Sequence, residues 1–513
     1  MTDATATYSV VWFKRDLRVH DHVALLAGAQ RGRVLCLYVI EPSVWAEPDA
    51  AAQHFAFLLE SLRVLHTALR RVGGRLEVVT GEVATVLARL HQCAPFSHLE
   101  SHQETGNART FARDKEVAEL CKRLHVRWTE HAQFGVVRRL HSRDEWHAAW
   151  ETHMRSPVLS APSSLSCVAL PWERVKAPTP QALGLTQRDP PHRQRGGRTL
   201  ALETLQNFLQ VRSAQYSGGI SSPLSAVSAC SRLSPYLALG CISMREAVRS
   251  TRAAREALPA GAAWQRTGLT SFLSRLHWHC HFIQKLESEP AIETENMHRG
   301  YDGLRELEWS DARFEALRQG QTGWPLVDAC VAMLRETGWL NFRMRAMLVS
   351  VASYPLWLHW RRVGLWLAQQ FLDYEPGIHW SQMQMQAGTT GINTTRVYNP
   401  VKQARDHDPK GEFVRRWLPY MQNVPDAWLF EPWRMPEEVQ LRTGLRVGVE
   451  IPLPVVDLAE ATRVAKARLH ARRGEPKVRA ANVAVVKRHG SRRSGHKRPK
   501  SKPTDGKQLA LGF

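Results

Sequence analysis

The 513-residue chain lacks the features that would place it in several common classes. Its eight cysteines (Cys36, Cys93, Cys121, Cys167, Cys230, Cys241, Cys280 and Cys330) are scattered and form no CxxC pair. That pattern argues for reduced thiols and against a zinc site or an iron–sulfur cluster. No run of about 18 apolar residues marks a membrane span. The opening MTDATATYSV lacks the basic-then-apolar stretch of a secretory signal, so a cytoplasmic protein is expected. No GxGxxG follows the first apolar run, which leaves a dinucleotide site on that strand unsupported. Acid is also scarce: 48 Asp+Glu face 69 Lys+Arg, giving a formal charge of +21 and a pI near 10.0. Such a surplus calls for a polyanionic partner, most simply nucleic acid. From Ala461 onward there are 16 Lys/Arg and 2 acids, a surplus of 14, so the body of the chain is only mildly basic.

What is present divides into two halves. Tyr8–Phe13 (YSVVWF) and Val34–Ile40 (VLCLYVI) are short apolar runs rich in β-branched and aromatic residues, with the helically spaced DHVALLAGAQ between them. A longer helix is predicted from about Ala50 to Val72, ending at Gly73–Gly74. Leu76–Gly81 then supplies a third strand, VATVLARL a helix, and His125–His131 a further strand. This alternation predicts a doubly wound, mainly parallel α/β domain over residues 1–135. Residues 136–197 read as a long connector, rich in Pro, Ser and Arg toward its end. Residues 198–457 are helical throughout, as in SFLSRLHWHCHFIQKLE and LWLHWRRVGLWLAQQFLDY. Residues 458–513 read as a disordered basic tail. No internal repeat is evident.

One stretch stands apart, DYEPGIHWSQMQMQAGTTGINTTRVYNP, Asp373–Pro400. It is dense in amide, hydroxyl and aromatic groups, and Asp373, Glu375 and Arg396 are its only charged side chains. Such polar groups need partners when buried. Trp-, Arg- and Met-rich helices lie just upstream, which points to a planar ligand held between helices. An ordinary polar surface loop is the alternative.

Five motifs then carry a resemblance: Trp12–Leu25 (WFKRDLRVHDHVAL), Ser231–Gly240 (SRLSPYLALG), Thr322–Ala329 (TGWPLVDA), Glu336–Arg345 (ETGWLNFRMR) and Tyr398–Pro419 (YNPVKQ to GEFVRRWLP). Together they resemble the photolyase/cryptochrome family over roughly residues 8–435. The resemblance implies an N-terminal antenna domain, a connector and an all-helical domain enclosing FAD. It also implies blue-light-driven electron transfer from reduced flavin, either to a pyrimidine dimer in DNA or into a photoreceptor cycle.

Carried onto this sequence, the resemblance assigns flavin contacts to Tyr216, to the turn Cys230, Ser231, Arg232, Leu233 and Ser234, and to Asn341, Arg343, Asp373 and Glu375. Arg343 is expected beside the isoalloxazine ring, while Asp373 and Glu375 match the family's DxD. On residue types alone, the 230–234 turn is also a plain N-cap before PYLALG, and Trp278 is also an ordinary core residue. The resemblance makes Trp278 the wall of the lesion pocket, with Arg275 three residues before it. Trp380, Trp360 and Trp309 are the inner, middle and outer members of an implied electron-transfer chain. Arg396, Lys402 and Arg405 are expected on phosphates of the damaged strand. Ser101–Asp114, with Glu104 and Asn107 as polar contacts, is a pocket for an antenna chromophore of the folate or deazaflavin type, or else a helix N-cap region.

The departures from the family pattern are specific. Arg275 stands where dimer-repairing members carry a glutamate, and His279–Cys280 replaces the usual Arg-Glu. Phe342 replaces an Asn, shifting the amide to Asn341. A second pocket tryptophan is replaced by Met383 or Met385. These residues put repair in question more than flavin binding. The expected function is therefore a light-dependent, FAD-containing, photolyase-type repair enzyme acting as a monomer on pyrimidine dimers. A cryptochrome-like photoreceptor is the main alternative, and a flavin-free DNA-binding scaffold a third. Finally, Gln508–Phe513 (QLALGF) resembles the short motif by which bacterial repair proteins bind the sliding clamp, with the basic tail as its tether.

Overall fold

The computed structural model describes residues 8–173, 176–392 and 397–490. Its N-terminal domain is built on a five-stranded sheet, β1 (Ser9–Phe13), β2 (Val34–Ile40), β3 (Leu76–Thr80), β4 (His98–His102) and β5 (Arg127–His131), in the order β3-β2-β1-β4-β5. Every pairing is parallel, with Val11 opposite both Cys36 and Glu100. Alternate residues of β1 serve opposite faces, as the two-residue period requires. Val11 and Phe13 join a core with α1 (Val23–Gln30) and α2 (Ala52–Arg71). Val10 and Trp12 join another with α3 (Val83–Cys93) and α4 (Ala108–Arg123). The doubly wound α/β domain expected from the alternation of elements is thus present.

β4 has no counterpart in the apolar runs of the sequence. Its segment, HLESH, is a central strand made largely of polar residues, and each is paired. Glu100 is fully buried and bonds Arg31 at 3.2 Å and His131 at 2.8 Å. His102 Nδ1 lies 2.7 Å from Asp16, which also accepts the Lys14 N–H at 2.7 Å and has His22 Nε2 at 3.0 Å. His22 Nδ1 accepts the Leu25 N–H, so Nε2 carries the ring proton and faces Asp16, and the His102–Asp16 contact ties the loop after β1 to β4.

The connector contains a helix, Trp146–Arg155, and then crosses to the helical domain. That domain is organised around α5 (Met244–Glu256), α6 (Ala263–Ser288), α7 (Pro325–Thr337), α8 (Phe342–Ser353), α9 (Trp360–Gln370) and α10 (Pro376–Ala387). The motif TGWPLVDA opens α7 by a local trap: Asp328 accepts from the backbone and hydroxyl of Thr322 and from the Gly323 N–H at 2.7–3.1 Å. α10 crosses α6 at Gly377, where a Cβ would lie 2.6 Å from the Ile283 backbone.

The expected disordered tail from 458 requires correction. Leu458–Gly474 (α11) and Pro476–His489 (α12) are helices, and Ala465, Leu469 and Val478 pack on Tyr301, Tyr354 and Trp357. Composition hid this because only a narrow apolar stripe is buried, while the abundant cations lie around it; Arg468, for example, covers the Trp357 ring and pairs with Glu308. The clamp-like hexamer Gln508–Phe513 lies outside the described residues.

The two domains meet along the loop after β1. Arg15 donates from Nε to the Ala238 carbonyl at 2.7 Å and from Nη2 to Glu375 at 2.7 Å. Arg18, nearly fully buried, donates to the Gly240 carbonyl at 3.0 Å. Gly240 has φ +61°, and a Cβ there would sit 2.2 Å from the Arg15 carbonyl oxygen. Only glycine permits this approach, which is the physical reason for the last residue of SRLSPYLALG.

Candidate functional site

The polar stretch starting at Asp373 splits its first three side chains among three partners. Asp373 takes a bidentate pair from Arg345, at 2.9 and 3.0 Å. Tyr374 donates its hydroxyl to Asp49 at 2.6 Å. Glu375 pairs with Arg15. Burial alone would raise the Asp373 carboxyl, but Arg345 and the Ser234 hydroxyl hold it below the usual carboxylate range. Burial pushes Glu375 up to about 7 in spite of Arg15.

Around Asp373 the expected flavin contacts converge. Asn341, at the N-cap of α8, donates from Nδ2 to the carbonyls of Ile220 and Ser221 at 3.0 Å each, which ties α8 to the segment carrying Tyr216. Arg232 adopts the left-handed region at φ +60°, its guanidinium 3.8 Å from the Trp339 ring centroid and its carbonyl held by Gln194. Burial pushes the Cys230 thiol up to about 11 against the pull of four guanidinium groups, Arg232, Arg345, Arg212 and Arg275. Arg275 also lies beside the buried Tyr216 phenol. Leu233 is buried in the core. The sequence reading chose Arg343 as the residue acting on the ring. The geometry gives the pairing with Asp373 to Arg345, two residues on, and leaves the Arg343 Nε buried and unpaired among the described residues.

These residues fit an FAD. A diphosphate suits a turn within electrostatic reach of four guanidiniums, where Asp373 is already paired with Arg345. Among the described residues, Asn341 Oδ1, Arg343 Nε, His279 Nδ1 and Trp380 Nε1 are buried without a partner. Native proteins rarely leave such atoms empty-handed. Glu375 does not join this group, since it faces Arg15 at the domain seam.

Trp278 is half-buried one helical turn beyond Arg275 on α6, in edge contact with His281 at 4.7 Å. Of the two candidate replacements for the second pocket tryptophan, Met383 is buried beside Gly364 in the core, whereas Met385 is half-buried. Trp380 and Trp360 are both fully buried and pack edge to face at 6.0 Å. Trp309 stands in a separate aromatic group with Phe314, which touches Trp366, and under Arg362. Lys402 and Arg405 are exposed and pair with Asp406 and Glu431, while Arg396 lies outside the described residues.

A second site lies between the domains, a cavity of about 160 Å³ at the carboxyl ends of β1 and β2. Trp12, Lys14, Tyr38, Trp45, Asp49, Glu104, Asn107 and Tyr374 are among its lining residues. Asn107 caps α4 through the Thr110 N–H at 3.1 Å and also lines the cavity. Glu104 is paired with Arg113 at 2.7 Å. Asp49, which no motif singled out, and Tyr374 of the helical domain meet across this wall.

The fold thus joins an α/β domain at a polar seam to a helical domain holding an arginine-rich pocket. Family models agree: residues 9–139 match DNA photolyase, and residues 272–471 match the FAD binding domain of DNA photolyase. The chain belongs to the photolyase/cryptochrome family. It is 30% identical over 485 residues to a deoxyribodipyrimidine photo-lyase of Streptomyces griseus, covering 91% of this chain and 99% of the relative. It is 29% identical to a cryptochrome DASH of Gloeobacter violaceus, covering 92% and 99%. In fold it matches a bacterial class III photolyase from Agrobacterium tumefaciens (TM-score 0.80, 24% identity, 92% and 99% covered). It likewise matches an archaeal photolyase from Sulfolobus tokodaii described with two FAD molecules (TM-score 0.74, 22% identity, 91% and 100% covered).

Asp373→Ala leaves Arg345 without its acid and should cost about 3–5 kcal/mol, nearer the lower figure because Arg345 is partly exposed. Because the folded carboxyl is held below its unfolded value, that stability is fully present above about pH 4 and is lost as pH falls through the folded value. Urea unfolding of both proteins at pH 7 and at acid pH checks this: the gap should narrow in acid, and an unchanged gap would count against the assignment.

Proposed function

We propose that this protein is a light-dependent, FAD-containing DNA repair enzyme of the photolyase type, acting on a pyrimidine dimer turned out of the duplex. The observation that carries the reading is the four-guanidinium turn at Cys230–Ser234, with the half-buried Trp278 one helical turn from Arg275. When bound, FAD supplies the light-driven one-electron chemistry. The chain's own residues bind and orient. Arg212, Arg232 and Arg275 neutralise the diphosphate, the Arg345–Asp373 pair fixes the polar edge of the pocket, and Trp278 stacks on the extruded base. Trp380 and Trp360 pass electrons inward to restore the reduced state. Exposed cations, with Lys402 and Arg405 among them, hold flanking phosphates, so DNA affinity falls with salt. The cavity between the domains takes an antenna chromophore, whose planar ring suits the walls of Trp12, Tyr38 and Trp45. Among the described residues no helix is long and apolar enough to cross a membrane.

A photoreceptor role is the second reading, and Arg275 favours it. A cation beside Tyr216, in place of the carboxylate usual in dimer repair, changes what the pocket can hold. Illumination with defined cyclobutane and (6-4) oligonucleotides separates the readings. The repair reading expects one lesion to be reversed, with Trp278→Ala losing about fivefold or more in affinity for damaged DNA, in line with stacking worth about 1–3 kcal/mol. Normal flavin photoreduction with neither lesion repaired would favour the photoreceptor.

We also propose that Gln508–Phe513 binds a bacterial sliding clamp, with Gln508 supplying amide hydrogen bonds and Leu509, Leu511 and Phe513 filling an apolar groove. Deleting these six residues should abolish clamp binding and leave flavin content and DNA affinity unchanged. A full-length protein that shows no clamp binding at low salt would refute it.

A further inference from the structure

Tyr374 is the one member of the Asp373–Glu375 triplet whose side chain faces the inter-domain cavity, and its hydroxyl is committed to a carboxylate in the other domain. Its ring meets His379 edge-on at 5.2 Å, and His379 meets Trp380 edge-on at 4.8 Å. Trp380 in turn packs on Trp360. An unbroken aromatic path therefore runs from the tryptophan pair to the cavity wall. Asp49, at its end, is 5% exposed and accepts from Tyr374 at 2.6 Å and from the Asn107 amide at 3.1 and 3.3 Å. Among the described residues no cation forms an ion pair with it. Its Oδ2, already accepting the phenol hydrogen bond at 2.6 Å, stands where a proton leaving Tyr374 would arrive.

We propose that Tyr374 is a redox-active tyrosine that reduces oxidised Trp380, with Asp49 as its proton acceptor. The inference rests on the reading that a light-excited flavin is the oxidant. Once the flavin has taken an electron from Trp380, Tyr374 gives one electron to the Trp380 radical cation, and its hydroxyl proton crosses to Asp49 Oδ2. The products are neutral Trp380, a neutral phenoxyl radical on Tyr374 and a protonated Asp49, so charge and hydrogen are conserved. Burial, with the Asp49 charge adding to it, pushes the Tyr374 phenol well above its usual value, so the group stays protonated until it is oxidised. A hole parked on Tyr374 with its proton displaced returns slowly, which would lengthen the life of the reduced flavin.

Full-length, flavin-loaded protein is illuminated, freeze-trapped and examined by electron paramagnetic resonance, alongside transient absorption of Y374F and D49N. The wild type should give a phenoxyl signal that narrows when ring-deuterated tyrosine is incorporated. Y374F should lose it and retain a tryptophan radical. D49N should slow decay of the tryptophan radical several-fold and abolish its dependence on heavy water. A wild type with only a tryptophan radical, or a Y374F protein with an undiminished phenoxyl signal, would overturn the inference. If the wild-type flavin does not photoreduce at all, the functional reading fails instead. In that event an external ruthenium photo-oxidant, which oxidises tryptophan without flavin, reads the Tyr374 step directly.

Discussion

The constraint on which the rest of the architecture depends is the disposal of charge at the seam between the domains. Arg15 leaves the end of β1, reaches into the helical domain and closes on Glu375, with its Nε on the Ala238 carbonyl. Nearby, Arg18 and the close approach at Gly240 lock the same loop to the same helical turn. A charged pair placed here gains little as net stability, because desolvation offsets most of the attraction. What it provides is register. With Glu375 fixed, the two residues before it have no freedom: Asp373 is delivered to Arg345 and Tyr374 to Asp49. Three consecutive side chains thereby connect the arginine-rich pocket, the inter-domain cavity and the sheet.

That arrangement also explains why the mild charge of the protein's body is unevenly spent. Four guanidiniums gather at one turn of the helical domain, with Asp373 as the nearby acid. The cavity, by contrast, is balanced: Lys14 and Arg113 lie over Trp12 while Arg113 also pairs with Glu41, Glu104 and Asp114. A pocket with surplus cation suits a diphosphate, whereas a balanced aromatic cavity suits a planar, weakly charged ring. The two sites differ in chemistry although one short segment supports both.

Much of this was legible in the sequence because it depends on local pattern. Four strands were legible, three of them as runs rich in apolar residues, and the flavin turn and the DYE triplet stood out as dense polar motifs. β4 did not, since its stability comes from His102, Glu100 and their partners at distant positions, which no window of sequence reveals. α11 and α12 were read as disordered because a few small apolar residues, Ala465, Leu469 and Val478, are easily lost among arginines. The pairing of Asp373 with Arg345 was not legible either: Arg343 and Arg345, two apart on a helix, point nearly opposite ways, and only the helix's seating on Asp373 shows which of them meets it. The pairing of Tyr374 with Asp49 carried no signal, because it spans 325 residues.

The central claim is that Arg15, although it lies outside the arginine-rich pocket, positions the segment that builds it. Its most direct test is the flavin content of purified Arg15→Met, read from the ratio of flavin to protein absorbance alongside the unfolding midpoint. The account predicts that the variant folds but loses most of its FAD, and that adding back free FAD restores it only at elevated concentration. A variant with wild-type flavin content and an unchanged midpoint would contradict it.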